Sequence, residues 1–201
     1  MAVPVNEKRY YQKDRVEHSI DRFASTKNPT PADLIAVSVT AQVELGIDRY
    51  RIGADEMTRK ELRNEQHESS RLAGHLEDTG DSKPHPKCHA HAIVSGAHKD
   101  AAPMRAVLAH LKMRIDDSYN GCWLPENTSA LTYMPKRLKQ AVPHSRIHRF
   151  NYYFWLGTLI NTSKTKSQDD LKYTLKTIEL RLQAGSQPTY VMLRKGEGLP
   201  E

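Results

Sequence analysis

The sequence of 201 residues predicts an α+β protein that is mostly α-helical, with a short strand embedded among helices. Apolar residues recur at helical intervals over most of the first 80 residues and again after residue 143. Between these regions, HAHAIVS at residues 89–95 has the length and composition of a short strand. A second short apolar run follows the turn signal Asn120-Gly121.

The first 80 residues are predicted to be a helical region. A helix is expected over residues 6–25, and a second over residues 30–53, which open with a threonine N-cap candidate and a proline in the first turn. Residues 54–78 are strongly polar, which suits an exposed or partner-binding helix. Residues 78–87 collect Gly, Ser and two prolines, and they predict a boundary.

The remaining elements follow from the same patterns. A compact helix is expected over residues 99–113 and a loop over residues 126–143. An aromatic-rich helix is expected over residues 144–163, and an amphipathic helix over residues 167–185, where Gly185 closes it. The chain is therefore divided into three parts, which are residues 1–80, 81–165 and 166–201.

Composition excludes some classes of protein. No window approaches 18 uncharged apolar residues, so no membrane span is expected. The N-terminus lacks the apolar segment of a secretory signal, so we expect synthesis in a cytoplasm and export, if any, without a cleaved signal. The two cysteines, Cys88 and Cys122, do not form a CxxC pair, which favours a reducing compartment and disfavours a thiolate zinc site.

Charge is unevenly distributed along the chain. Residues 82–164 carry 12 Lys/Arg against 4 Asp/Glu, a net charge of +8, and seven of the ten histidines. Residues 1–81 have a net charge of −3, and residues 165–201 have +1. A basic middle region is typical of a nucleic-acid binder, although a solvated surface with an accidental bias is an equal alternative.

Three histidines stand out by position. His91 lies on the predicted strand, and His144 and His148 have the i,i+4 spacing that places two side chains on one face of a helix. Neutral imidazoles suit zinc and other transition metals, so these three could share one ion. A His-x3-His pair alone is weak evidence, and the order of the elements along the chain gives it weight. His85, His89, His98 and His110 are assigned no role.

The segment from Ala90 to Asn127, AHAIVSGAHKDAAPMRAVLAHLKMRIDDSYNGCWLPEN, resembles the AHH nucleases, a branch of the HNH/endonuclease VII superfamily. Members of that family show Ala-His-His-Ile-Val, a helix containing Arg, Asn-Gly-x-x-Leu-Pro, and a His pair before a Tyr-rich helix. The matching elements, spread over about residues 88–160, are Ala90-His91, Ile93-Val94, Arg105, Asn120-Gly121, Leu124-Pro125, His144, His148 and Tyr152-Tyr153.

The resemblance implies a small ββα-metal core that holds one divalent ion (Zn, Mg, Mn or Ni) and hydrolyses phosphodiester bonds of DNA, with double strands favoured by analogy. It implies that His91, His144 and His148 are the metal ligands, and that Asn120 braces the loop and orients the general base. Basic side chains beside the ligands would hold flanking phosphates; these are Lys136, Arg137, Lys139, Arg146 and Arg149.

The family's second histidine, the general base, falls on position 92, which is alanine here. The chain should therefore bind metal and nucleic acid yet cut poorly. Ala92 is either natural, in a binding-only relative, or an engineered replacement for histidine, which we favour because the surrounding residues fit an active site. A shifted register, with His91 as the base and His89 as a ligand, is less favoured because Ile93-Val94 would then lose their family position.

Members of the family are often toxin domains of bacterial effectors, delivered by routes such as type VI secretion. The resemblance thus implies a secreted antibacterial nuclease with a cognate immunity protein, acting in a target-cell cytoplasm. Residues 1–80 would then be a delivery, adaptor or immunity-contacting segment. Two alternatives stay open: a non-catalytic, zinc-stabilised nucleic-acid-binding module, and a helical interaction protein with incidental histidines.

Overall fold

The computed structural model describes residues 13–200, which fall into two compact units, one ending at Arg49 and the other beginning at Tyr50. The predicted α+β, mostly helical fold is confirmed. The elements are α1 Arg15–Ser25, α2 Pro31–Glu56, α3 Arg59–Arg63, α4 Ser69–Asp78, β1 Cys88–Ala92, α5 Ala102–His110, β2 Gly121–Pro125, α6 Phe150–Leu159 and α7 Gln168–Ala184. Within residues 13–200, no helix is both long enough and apolar enough to span a membrane.

The N-terminal helices agree with the sequence except in two segments. The helix predicted over residues 6–25 begins later, at Arg15, because Asp14 is extended and caps α1; residues 6–12 lie outside the described part of the chain. The single helix predicted over residues 54–78 is wrong. The Thr58 backbone is extended, and its hydroxyl and the Glu61 carboxylate form a capping box that begins α3. The chain leaves the helix again at Asn64, so α4 begins only at Ser69.

The two strands form an antiparallel hairpin in which Cys88 pairs with Pro125 and Ala92 pairs with Gly121. Because side chains alternate along a strand, His89 and His91 point to one face of the hairpin. Cys88, Ala90 and Ala92 point to the other face. The strand predicted around residues 89–95 and the run after Gly121 are thus the two strands of one sheet.

The two faces of the hairpin pack against different helices. Leu72 and Leu76 of α4 join Ala90 and Ala92 in one buried cluster. A Cβ on Gly121 would lie 2.7 Å from Leu72 Cδ1, so glycine at this position lets α4 approach the hairpin closely. The opposite face joins the main core, which is built from α5, α6, α7 and the residues after β1. The hairpin therefore lies between α4 on one face and the core formed by α5, α6 and α7 on the other.

Two predicted helices differ in the second half of the chain. The helix predicted over residues 99–113 is shorter, because Lys99–Ala101 form a 3₁₀ turn and α5 covers Ala102–His110. Helix α6 begins at Phe150, not at residue 144 as predicted, because Arg149 is extended and His144–Arg146 form a short 3₁₀ turn. Helix α7 has the predicted ends: Ser167 caps its first turn, and Gly185 ends it in the left-handed conformation with φ of 67°. The three-part functional division of the chain stays a prediction.

Candidate metal centre

Strand β1 and the segment before α6 bring together the three histidines that the sequence singled out. One nitrogen from each of His91, His144 and His148 lies within 4.8 Å of the others. The ring of His91 is 5.3 Å from that of His144 and 5.1 Å from that of His148, measured between centroids. Three imidazoles from two segments thus converge on one point.

A tyrosine orients the imidazole of His91. The Tyr152 hydroxyl donates to the Ile93 carbonyl at 2.8 Å, so it is free to accept from His91 Nε2–H, 3.1 Å away. This hydrogen bond leaves the lone pair on His91 Nδ1. That nitrogen is buried and has no hydrogen-bond partner among the described residues. A buried, unpartnered imidazole nitrogen beside two other imidazoles fits a metal ligand, because a metal would supply its missing partner.

His144 and His148 face each other without sharing an α-helix, so the predicted helical i,i+4 geometry is wrong. Their Nε2 atoms are 3.3 Å apart, across the 3₁₀ turn that follows Pro143. The other nitrogen of His148, Nδ1, lies 2.9 Å from the Tyr153 hydroxyl. Nε2 of each ring can therefore point its lone pair at a common cation. The sequence showed Tyr152-Tyr153 as a family element but assigned these tyrosines no role.

The environment keeps the three imidazoles neutral. Burial, followed by the charges of His148, His89 and His67, lowers the pKa of His144 to about 4. Burial is also the main reason that the pKa of His91 lies well below its usual value and that the pKa of His148 is lowered. Metal ions bind the neutral form of imidazole, so the cluster can bind a cation at neutral pH without first losing protons.

The metal-free protein is expected to lose stability as the pH falls from about 6.5 to about 4. His144 has the ordinary pKa of 6.5 when unfolded and about 4 when folded. Between these two pH values the unfolded chain binds more protons than the folded one, so the free energy of unfolding falls as the pH falls. Below the folded pKa, protonation of His144 causes no further loss of stability. Urea unfolding of chelator-treated protein at several pH values measures this. His144→Gln should flatten the dependence and His110→Gln should not; equal slopes would contradict the assignment.

Replacing Tyr152 by phenylalanine is expected to weaken metal binding by about 10–100-fold. The substitution keeps the ring but removes the hydroxyl that accepts from His91 Nε2–H, so neither the tautomer nor the orientation of that imidazole is held. Titration with Zn²⁺ against a competing chelator measures the affinity. Tyr173→Phe, on the exposed face of α7, is the matched control. Equal affinities of the two variants would count against a role for Tyr152.

Position 92 does not point toward the three histidines. Ala92 is 5% exposed and lies on the hairpin face that α4 covers, in the cluster with Leu72. His89, on the same face as His91, lies with its ring 5.4 Å from that of His144 and its Nε2 3.7 Å from a Glu126 carboxylate oxygen. The assignment of position 92 as the general-base position stays a prediction.

Asn120 is fully buried at the start of β2 and braces the backbone behind the centre. Its side-chain oxygen accepts from the Val94 amide at 2.8 Å, and its Nδ2 donates to the carbonyls of Val94 and Ile115. The hydrogen bonds tie the residues after β1 to the start of β2. Whether Asn120 also orients a general base stays a prediction.

Asn120→Ala is expected to lower the free energy of unfolding by about 3 kcal/mol, because three buried backbone groups lose their partner. Urea denaturation monitored by tryptophan fluorescence measures the change. Asn64→Ala removes an exposed amide at the end of α3 and is expected to cost much less. Similar losses in the two variants would show that the bracing is weak.

A cavity of about 480 Å³ opens beside the centre, between the hairpin and α4. Ser69, Lys83, His89 and His144 are among the residues that line it. Lys83 was not among the predicted phosphate contacts, and its position in the boundary segment gave no signal in the sequence. Its exposed ammonium group can meet a phosphate that enters the cavity.

The five predicted phosphate-binding residues are all exposed; they are Lys136, Arg137, Lys139, Arg146 and Arg149. Three of them make contacts within the protein. Arg137 lies 3.5 Å from Asp81, Lys139 donates to the Thr132 carbonyl and Arg149 donates to the Met192 carbonyl. Their binding to nucleic acid stays a prediction.

One strand of the hairpin and the segment that precedes α6 bring three imidazoles to one point, an arrangement consistent with a ββα-type metal centre. One family model matches residues 72–181, and it describes AHH, a nuclease family of the HNH/ENDO VII superfamily with conserved AHH. The match spans more than half of the sequence, so the chain belongs to the AHH nuclease family. No curated protein and no solved structure matches the chain.

Membership confirms the resemblance seen in the sequence. It implies nuclease activity of the HNH hydrolase type, a nucleic-acid substrate and a divalent metal, for which His91, His144 and His148 are the available ligands. The matched region begins on α4 and ends on α7, so the helix that covers Ala92 belongs to it.

Proposed function

We propose that the chain is a metal-dependent endonuclease that hydrolyses phosphodiester bonds of DNA. The observation that carries this proposal is the unpartnered, buried Nδ1 of His91 beside the facing Nε2 atoms of His144 and His148, in a member of a nuclease family. Double-stranded DNA is favoured by analogy with HNH-type sites.

Different residues would bind the metal ion and the phosphate backbone. His91, His144 and His148 would hold the ion, which when bound polarises the scissile phosphate and stabilises charge on the leaving oxygen. Lys83 borders the cavity and supports binding of the phosphate at the centre, while the exposed basic residues after residue 135 would hold the flanking backbone. These contacts are independent of base sequence, so we propose cleavage with little sequence preference.

Because position 92 is alanine, we expect the chain to cleave DNA slowly or not at all. Without an imidazole at the family's general-base position, and with no other residue acting as the base, the rate is expected to be about 10²–10⁴-fold below that of a complete site. The alternative function is a non-catalytic, zinc-stabilised nucleic-acid-binding module, and Ala92 is the observation that favours it. Reading codon 92 in the native gene distinguishes a natural alanine from an engineered one.

Incubation with supercoiled plasmid tests the proposal. Mg²⁺, Mn²⁺, Ni²⁺ and Zn²⁺ are supplied in turn to chelator-treated protein, and single-stranded DNA and RNA of the same sequence run in parallel. Metal-dependent nicking by the chain or by Ala92→His supports the endonuclease, and preference among the three nucleic acids identifies the substrate. Tight binding without nicking by either protein would support the binding module instead.

We further propose that the protein is a secreted antibacterial effector, with residues 1–80 contacting a delivery component or an immunity protein. The basis is the family and the strongly polar segment from residue 54 to 78. Co-purification of the full chain with products of neighbouring genes tests this. Recovery of neither a secretion component nor an inhibitor of the nuclease would contradict it.

A further inference from the structure

A second histidine, His67, lies just before α4 and outside the residues that match the family, while its partner Asp116 lies among the matched residues. His67 Nδ1 hydrogen-bonds a carboxylate oxygen of Asp116, a residue with no exposed surface. His67 Nε2 lies 3.2 Å from the Ser69 hydroxyl. A carboxylate that binds Nδ1–H directs the lone pair of the imidazole to Nε2, which is how proteins orient a histidine that accepts protons.

Asp116 is itself held firmly as a carboxylate. Its other oxygen accepts from the Glu68 amide at 2.9 Å and from Arg71 Nε at 2.9 Å. Burial alone would raise the pKa of Asp116, but the hydrogen bonds from His67 and Glu68 and the charges of His67 and Arg71 lower it below its ordinary value. The anion that orients His67 is therefore present at neutral pH.

The contact between His67 and Ser69 connects His67 to the cavity beside the metal centre. The hydroxyl that it contacts, that of Ser69, lines the same cavity as His144. The side chain of His67 is 24% exposed, so water reaches it.

The segment that carries His67 also covers position 92. Ala92 points at Leu72 of α4, and His67 immediately precedes this helix. His67 packs tightly against the chain that follows β1, because a Cβ on Gly96 would lie 2.6 Å from the His67 Cβ. Position 92 on the strand has no imidazole, and the segment that leads into the helix packed against it carries one, that of His67.

We propose that His67, oriented by Asp116, is the general base of this nuclease in place of the absent histidine at position 92. This inference rests on the proposed endonuclease function. The water oxygen forms a bond to phosphorus while the bond from phosphorus to the 3′-oxygen breaks, and the electron pair leaves with that oxygen. Nε2 of His67 takes the proton of the water, and the leaving oxygen takes a proton from solvent. The products are a 5′-phosphate and a 3′-hydroxyl.

A purely structural role for His67 predicts a different pattern of effects from a catalytic one. If His67 only secures the start of α4, its loss should reduce cleavage equally whatever occupies position 92. If it is the base, its loss should matter when position 92 is alanine and should matter little once a histidine is restored there. Coupling between the two positions therefore distinguishes the roles.

The experiment measures plasmid nicking by four full-length proteins: the chain itself, His67→Gln, Ala92→His and the double variant. We expect His67→Gln to slow cleavage by about 10²-fold with Ala92 present and by less than about threefold with the histidine restored. His75→Gln is the matched control, since His75 lies on α4, close to His67 in sequence, and its Nδ1 also bonds Asp116, but at the backbone carbonyl. Zn²⁺ affinity should be the same in all five proteins.

Gly96→Ala provides a second test if His67→Gln fails to fold. It keeps the imidazole but displaces it, so cleavage should fall with Ala92 present and change little with the histidine restored. Equal losses in both backgrounds, or no loss in either, would overturn the inference, as would absence of cleavage by the chain when Ala92→His cuts. If neither the chain nor Ala92→His nicks DNA with any metal, the endonuclease proposal itself fails, and the inference falls with it.

Discussion

Replacing Ala92 by histidine is expected to raise the rate of DNA cleavage, by about 10²–10⁴-fold in the His67→Gln background, where no other base acts, and by less when His67 is present. The sequence places the family's second histidine at this position, directly after the ligand His91. The new imidazole would leave the strand on the face covered by α4, so it needs room that Leu72 now occupies. Initial rates of plasmid nicking at saturating metal measure the gain.

A matched control is available on the same strand. Ala90→His adds an equal volume to the same hairpin face, two residues earlier, and crowds the packing against α4 in a similar way. It is expected to raise no activity. A gain of similar size in both variants would point to a general effect of extra imidazole, and no gain in a folded Ala92→His protein would contradict the base assignment of position 92.

His148→Ala is expected to weaken metal binding by more than about 10²-fold, which exceeds the usual effect of losing a residue that only orients a ligand. The substitution leaves the facing His144 Nε2 with no second imidazole 3.3 Å away, and two ligand nitrogens cannot enclose an ion as three can. Metal-dependent nicking should be lost with it. Isothermal titration with Zn²⁺ and the plasmid assay measure the two effects.

His110→Ala, at the exposed end of α5, is the control for loss of a histidine and should retain full affinity. Unchanged Zn²⁺ affinity in His148→Ala would show that the three imidazoles do not form the metal site. Lost affinity with undiminished cleavage would show that the metal site and the cleavage site are different.

Much of the fold could be predicted from local signals. The first strand was indicated by the run at residues 89–95, and α7 follows from a capping serine and a terminal glycine. The caps of α7 depend on hydrogen bonds between neighbours in sequence, so a single sequence contains them, whereas the pairing of β1 with β2 joins residues about 30 positions apart. Helix α6 was predicted six residues too early, since only the packed structure shows that Pro143 opens a 3₁₀ turn and that Arg149 is extended.

The sequence by itself determined the family and the three metal-ligand candidates, because His91, His144 and His148 lie at characteristic positions in an ordered motif. Only the tertiary structure decided what surrounds them. Asp116 is 49 residues from the histidine that it orients, and Tyr152 is 61 residues from His91. Such pairs form through packing of α4 and α6 on opposite faces of the hairpin, and no local pattern in a single sequence encodes which distant side chains that packing brings within hydrogen-bond distance.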